Sequence, residues 1–254
     1  MIKLYHGDCL KLMFDLPDNS VDCVICDMPY GLIGSACKWD TVLPLDMLWV
    51  HYKRVCKNTG AIVLTASQPF TTTLISSNLK MFKYCWVWEK TKASNFVHAN
   101  YQPLKVHEDV CIFSNGGSAQ GSKHPMTYNK QMIDGVPYER GVCTGGGRTT
   151  SKGLNGALVS NKSGKRTPRS VFKISNPSGK NHLHPTQKPV ELIEYLIKTY
   201  TNEGDTVLDN CMGSGTTGVA CQNLNRDFIG IELDDKYFQI AKDRIEASQI
   251  ETTD

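Results

Sequence analysis

Asp27-Met28-Pro29-Tyr30 ends the apolar run Val21-Asp22-Cys23-Val24-Ile25-Cys26. A carboxylate, a proline and an aromatic ring leaving the carboxyl end of a buried strand can grip a flat ring that carries an amino group. The carboxylate accepts hydrogen bonds from the amine, backbone carbonyls near the proline accept another, and the tyrosine stacks on the ring. Asp and Pro at a strand exit are also ordinary turn chemistry. The tetrapeptide therefore gains meaning only from a second site elsewhere in the chain.

That second site is the stretch from Thr206 to Gly218, whose turn reads Asp209-Asn210-Cys211-Met212-Gly213-Ser214-Gly215-Thr216-Thr217-Gly218. A helical pattern from Val219 to Leu224 and the run Asp227 to Leu233 follow it. Strand, glycine turn, helix, strand and acid is the order of a nucleotide-binding crossover, in which glycines admit a ligand to the backbone and the acid takes ribose hydroxyls. Glu232 is placed for the ribose. Gly213-x-Gly215-x-x-Gly218 also matches the dinucleotide fingerprint, and close helix packing alone would require the same glycines. Only one helix-like stretch follows Glu232, so the second half of a dinucleotide fold would have to lie upstream, out of the usual order. A single nucleoside ligand fits better.

Two metal sites can be imagined. Cys23 and Cys26 have half-site spacing, but on a strand residues three apart face opposite ways. His182 and His184 have no partner cluster, so no metal is expected. Most of the ten cysteines sit in apolar runs, where a thiol behaves as a small hydrophobe. With no leader-like start and no membrane-length apolar run, the expected setting is a reduced cytoplasm, away from membranes.

The net charge of +3 hides an asymmetry. Between Asn115 and Pro189 there are 12 Lys and Arg against Asp134 and Glu139, a net +10 that leaves −7 for the remainder. A basic lobe on an acidic body suggests a polyanion, because phosphate neutralisation supplies most non-specific nucleic-acid affinity. A solvated basic surface is the plainer alternative. Lys162, Lys165, Arg166 and Arg169 are the candidate phosphate contacts.

The elements that must carry these groups are legible in outline. Strand-like runs lie near Ile2–Tyr5, Val21–Cys26, Ala61–Thr65, Phe82–Trp88, Asp109–Phe113, Thr206–Asp209 and Phe228–Glu232. Helical patterns cover Leu10–Phe14, Leu45 to Val55 ending at Gly60, Pro69–Leu79, Val190–Tyr200 and Asp234–Ser248. This alternation predicts an α/β fold with a mostly parallel sheet. The runs at Phe82 and Asp109 lack a strong helix between them, which predicts an antiparallel pair at one sheet edge. From Gly116 to Gly179, glycine, serine, asparagine and lysine dominate without periodicity, as in a loop-rich recognition region.

Together these residues resemble the S-adenosylmethionine-dependent DNA amino-methyltransferases, specifically the permuted group in which the catalytic motif precedes the cofactor motif. Asp27-Met-Pro-Tyr30 resembles their Asp-Pro-Pro-Tyr, and His184-Pro-Thr-Gln-Lys-Pro189 the block before the cofactor helix. Asp209 through Gly215 resembles the Asp-Pro-Phe-x-Gly-Ser-Gly turn, and His6-Gly7-Asp8-Cys9, Trp88-Glu-Lys90 and His107-Glu108 resemble three further stretches. Met28 replaces a proline, and Asn210-Cys211-Met212 replaces Pro-Phe-x.

The resemblance implies a Rossmann-like methyltransferase fold with circularly permuted motif order, a seven-stranded mostly parallel sheet and one antiparallel edge strand. Residues 1–114 and 181–254 would form the catalytic and cofactor-binding domain, and 115–180 a target-recognition insertion. It implies a catalytic set of Asp27, Pro29 and Tyr30 acting on a base flipped out of double-stranded DNA, with S-adenosyl-L-methionine as cofactor. Asp209 would lie near the methionine amino end, Glu232 on the ribose, Asp8 near the adenine, and Thr186 and Lys188 near the carboxylate. Cys9, Asp27, Gly213, Ser214, Gly215, Thr216, Thr217 and Leu233 complete the implied cofactor contacts. Within such families Asp at the first motif position goes with adenine N6 and serine with cytosine N4, so Asp27 favours adenine. Cytosine N4, an RNA or small-molecule amine, and a catalytically inactive nucleic-acid-binding module are the alternatives. A homodimer and a partner restriction endonuclease are both compatible with such a chain.

Overall fold

The computed structural model describes residues 1–31, 40–140, 159–177 and 183–251. In chain order these hold β1 (Ile2–His6), α1 (Cys9–Phe14), β2 (Val21–Cys26), α2 (Leu45–Val55), β3 (Cys56–Ala66), α3 (Phe70–Ser77), β4 (Phe82–Ser94), β5 (Lys105–Phe113), β6 (Tyr138–Arg140), β7 (Val159–Asn161), β8 (Val171–Ile174), α4 (Val190–Tyr200), β9 (Thr206–Asp209), α5 (Thr216–Asn223), β10 (Asp227–Glu232) and α6 (Asp235–Glu251). Arg148, Lys152 and Lys180, which count among the twelve basic residues between Asn115 and Pro189, and His182 lie outside the described residues.

Contacts divide the described chain into a larger unit, Met1–Asn129 with Ser170–Asp254, and a smaller one, Lys130–Arg169. The division is narrower than the expected 115–180 insertion. Met126 is buried in the larger unit's core, Thr127 N donates to Thr59 O (2.9 Å), and β8 joins the main sheet, so both flanks of the glycine-rich stretch belong to the larger unit.

The main sheet runs β1-β10-β9-β2-β3-β5-β4-β8. All neighbours pair in parallel except β5, which is antiparallel to β3 and to β4. One strand is reversed, as expected, but it is not at the edge, because β4 and an eighth strand, β8, lie outside it. Val171-Phe172-Lys173-Ile174 is too short to read as a strand, yet it pairs with Val87–Lys90.

Alternation along the strands sends successive side chains to opposite faces. Val24, Cys26, Ile62 and Leu64 pack with α1, α2 and α3, whereas Cys23, Ile25, Ala61 and Val63 pack with α4, α5 and α6. Cys23 and Cys26 therefore face different layers and do not form a half-site. α2 and α4 turn apolar stripes inward. In α4 that stripe is Leu192, Ile193, Leu196, Ile197 and Tyr200, each worth about 1.5–3 kcal/mol of burial. The helix predicted to run to Gly60 ends at Val55, because Cys56 already pairs with Val21 and Gly60 lies inside β3.

The smaller unit contains the antiparallel pair β6 and β7, and Ile133 and Arg166 exchange backbone hydrogen bonds of 2.9 and 2.7 Å. Among the described residues no helix is long and apolar enough to cross a membrane.

Candidate active site

β2 and β9 pair in parallel through Cys23–Val207 and Val24–Leu208, so their carboxyl ends open at the same rim. This register brings the two sequence motifs together although about 180 residues separate them. Asp27 and the glycine turn line one cavity of about 490 Å³ of empty space, part of it open to solvent. Thr65, Thr186, Lys188, Asp209, Gly213, Ser214, Thr216 and Thr217 share that lining. Ligands of open α/β sheets sit at this edge, where strands end and helices begin.

Asp27 is held on all sides. Tyr30 OH donates to Asp27 Oδ1 (2.7 Å) and the Thr65 hydroxyl donates to the same oxygen. Lys188 Nζ donates to Oδ2 at 2.6 Å and lies 3.2 Å from Glu108 Oε2, while Lys90 pairs with the other Glu108 oxygen. Two carboxylates and two ammonium groups thus alternate in one row, with Lys188 buried and the others half-buried. Burial opposes the Asp27 charge, but Lys188 and the two hydroxyls outweigh it and hold the carboxyl below its ordinary pKa. Burial likewise opposes the Lys188 charge, and the flanking carboxylates win, raising its pKa. A carboxylate offers about four lone-pair sites. Three are taken, so one remains for an incoming amine.

The loop after Asp27 is fixed from two directions. Met28 is buried in the core and anchors the turn from below. Asp40 Oδ1 accepts from Tyr30 N (3.1 Å) and Gly31 N (2.9 Å). The Tyr30 ring stacks on Phe70 at 5.4 Å between centroids, with Lys188 Nζ 5.7 Å from its centre. Pro29 is half-buried between Met28 and Tyr30.

The glycine turn is equally determined. Gly215 precedes α5 with φ +78°, a left-handed conformation that favours glycine, and a Cβ on Gly218 would sit 2.3 Å from Ile245 Cδ1. Close packing is therefore one reason for the glycines, alongside the open cavity beside Gly213 and Ser214. Asp209 Oδ2 accepts from Thr217 Oγ1 (2.6 Å) and Oδ1 from Cys211 N (3.1 Å). Burial pushes the Asp209 carboxyl up to about 7 despite these bonds. Glu232, at the end of β10, accepts from Gly213 N and Asp234 N, both at 2.8 Å, and burial raises its pKa.

Not every implied cofactor residue reaches the cavity. Asp8 caps α1 by accepting from Leu10 N (2.9 Å), Cys9 is buried beside Asn210, and Leu233 is exposed; none of these, nor Gly215 or Glu232, lines the cavity itself. Lys188 faces Asp27 and Glu108. In the smaller unit, Arg166 donates to Val136 O (2.5 Å) and lies 4.5 Å from the Tyr138 ring centre, and Lys165 pairs with Asp134 at 2.5 Å. Lys162 and Arg169 are exposed.

Several residues of the site were not singled out from sequence. Thr65 and Asp40 brace the Asp27 loop. Gln187 Oε1 accepts from Ser214 Oγ (3.2 Å), tying the His184–Pro189 block to the turn. Arg244 of α6 donates to Ser214 O (3.1 Å) and Thr216 Oγ1 (3.0 Å). Thr65 and Arg244 act on segments distant in the chain, Asp40 reaches back nine and ten positions, and Gln187 sits in a recognised block whose partner the sequence does not name.

This arrangement can be set beside known proteins. The chain is 29% identical over 263 residues to the Type II methyltransferase M.HpaI of Haemophilus parainfluenzae, covering 96% of this chain and 74% of that one. It is 27% identical over 270 residues to the Type II methyltransferase M2.DpnII of Streptococcus pneumoniae, covering 96% and 89%. Among solved structures, the M1.HpyAVI complex with S-adenosylmethionine superimposes with a TM-score of 0.65 at 26% identity over 96% of this chain and 99% of that one. The cytosine-N4-specific PvuII DNA methyltransferase shares the fold at a TM-score of 0.65 and 16% identity, over 98% and 91%. The family of N6 and N4 methyltransferases described as DNA methylase matches residues 21–243, and the chain belongs to that family of S-adenosylmethionine-dependent DNA amino-methyltransferases.

Proposed function

We propose that the protein methylates the N6 amino group of an adenine swung out of duplex DNA. The observation that carries this reading is the shared cavity: a carboxylate with one remaining acceptor site stands across it from a glycine turn and a buried acid. The cavity's chemistry fits S-adenosylmethionine. Asp209 suits its ammonium, Thr186 and the Ser214 hydroxyl suit its polar groups, and Glu232 behind the turn suits ribose hydroxyls. When bound, S-adenosylmethionine supplies a sulfonium methyl that an amine lone pair can take.

The chain's own residues orient the amine. Asp27 accepts one N6 hydrogen and a backbone carbonyl near Pro29 the other, directing the lone pair into the cavity, while Tyr30 stacks on the base. Because Lys188 holds the Asp27 pKa down, the carboxylate is a poor store for a proton. Its work is orientation, and the proton lost by the methylated amine goes to water. A base still stacked in a duplex cannot enter such a cavity, so flipping accompanies binding. The relatives' Type II designation favours a modification role in a restriction–modification system, and the free thiols suit a reducing, cytoplasmic setting.

The test is transfer of labelled methyl from S-adenosylmethionine to duplex DNA and, in parallel, to RNA, followed by base identification. N6-methyladenine in DNA supports the reading. N4-methylcytosine would move the target to cytosine, label in RNA alone would change the substrate class, and no label would leave a binding module.

A further inference from the structure

The segment between β4 and β5 has no part in the cavity, yet it is unusual. Ala66, the last residue of β3, pairs with Asp109, and Asp109 with Val87. Everything on β4 after Val87 and on β5 before Asp109 therefore extends past the rim where Asp27 stands. Four residues of β5 at about 3.3 Å each put the root of segment 95–104 roughly 13 Å beyond that rim. The base of this flap is tied to the site, because Glu108 holds Lys188 and Lys188 holds Asp27.

The tip is compact. Asn95 adopts φ +71°, His98 N donates to Asn95 O (3.1 Å), and Tyr101 N and Gln102 N both donate to His98 O (2.9 and 3.0 Å). These turns hold apolar side chains outward: Phe96, Val97 and Tyr101 are 65%, 90% and 89% exposed. Clustered apolar groups in water mark a contact surface. Between Thr91 and His107 there is no carboxylate, Lys92 is exposed and Lys105 half-exposed, so the charge on this surface is positive and favours a polyanion.

Resting on the DNA-methylation reading, we propose that segment 95–104 is a wedge that enters the duplex at the target base pair, placing Phe96, Val97 and Tyr101 against the base stack. Extruding a base leaves a gap, and inserted apolar side chains offset the lost stacking. A reach of roughly 13 Å suffices for a groove about 8 Å deep.

The test compares wild type with the F96S/V97S/Y101S variant on two duplexes, one with the target base paired and one with it opposite an abasic site. The modified sequence is first read from labelled DNA. Calorimetric affinity for S-adenosylmethionine, unchanged in the variant, verifies that the cavity is intact. The variant is expected to lose about ten- to hundredfold in kcat/KM on the paired duplex, the scale of lost base–aromatic stacking, and less than about threefold on the unpaired one. Equal losses on both duplexes, or none on either, overturn the wedge. So does a wild-type dimer that the variant dissociates, since the patch would then be a self-association surface. A wild type that transfers no methyl to DNA overturns the methylation reading and the wedge with it, whereas an active wild type matched by its variant overturns the wedge alone.

Discussion

Lys188 Nζ stands 2.6 Å from Asp27 Oδ2, a pairing across 161 positions that sets the charge state of the site. The ammonium is buried between Asp27 and Glu108. Replacing it with methionine leaves Asp27 without a counter-ion beside Glu108, which keeps only Lys90, and Lys188→Met is expected to cost about 3–5 kcal/mol at neutral pH. The sign of the pH dependence follows from Asp27. Its pKa is depressed in the folded protein, so the pair stabilises the fold above the unfolded value near 3.8 and stops doing so as pH falls through the folded value. Thermal melts should therefore show a wide gap between variant and wild type that persists from pH 7 down to about pH 4 and closes only below it, as Asp27 is protonated. A gap independent of pH would mean the loss is one of packing.

Asp27→Asn keeps the shape of the side chain but turns one acceptor into a donor at the point where an amine must give up a hydrogen bond. Turnover should fall by about 100-fold or more, the usual scale for losing one oriented hydrogen-bonding group at a reacting centre. Cofactor affinity should stay within a few-fold. Near wild-type turnover in single-turnover assays would remove Asp27 from the catalytic set.

Tyr30 does two separable things. Its hydroxyl donates to Asp27 and its ring stacks on Phe70. Tyr30→Phe keeps the ring and frees a lone pair on Asp27, so activity should change less than about fivefold. Tyr30→Ala removes the stacking surface and should weaken productive base binding by about 1–3 kcal/mol. Fluorescence of 2-aminopurine at the target position separates the two, and equal effects of both substitutions would assign the role to the hydroxyl.

The strands and both motifs were legible because they depend on local patterns: alternation from Val21 to Cys26, the stripe in α4, and the glycines after Asp209. What escaped was pairing at long range. Thr65, Asp40 and Arg244 act on segments that no local period connects to them. Lys188 stood within a recognised block, but a sequence reading places it opposite an anionic ligand, whereas β5 brings Glu108, and β2 brings Asp27, to the same ammonium. β8 was missed because Val171–Ile174 is a short edge strand whose partners lie more than 80 residues away.

The basic residues of the smaller unit divide by their surroundings. Arg166 is engaged with Val136 O and the Tyr138 ring, and its backbone pairs with Ile133, so Arg166→Gln should destabilise that unit. Lys162 and Arg169 are exposed, and neutralising both should lower the slope of log binding constant against log salt by roughly two, with little change in melting. An unchanged slope would move the DNA surface away from these two residues.

Asp209 provides the sharpest pH test. Burial raises its carboxyl to about 7, well above the ordinary 3.8. A folded pKa above the unfolded one means the protonated acid is the better tolerated form, and the relative stability it confers below pH 4 is lost as pH rises through 7. An ammonium group bound beside it reverses the preference, because it favours the carboxylate. Binding of S-adenosylmethionine should then release a proton near and below pH 7, and its affinity should fall by up to about tenfold for each pH unit below 7 until other groups titrate. Calorimetry in buffers of different ionisation enthalpy reads the proton directly. Asp209→Asn should bind more weakly at pH 8 and show neither proton release nor the acid limb. A wild-type affinity flat from pH 8 to pH 5.5 would place the ammonium elsewhere, and with it the orientation of the whole cofactor in the cavity.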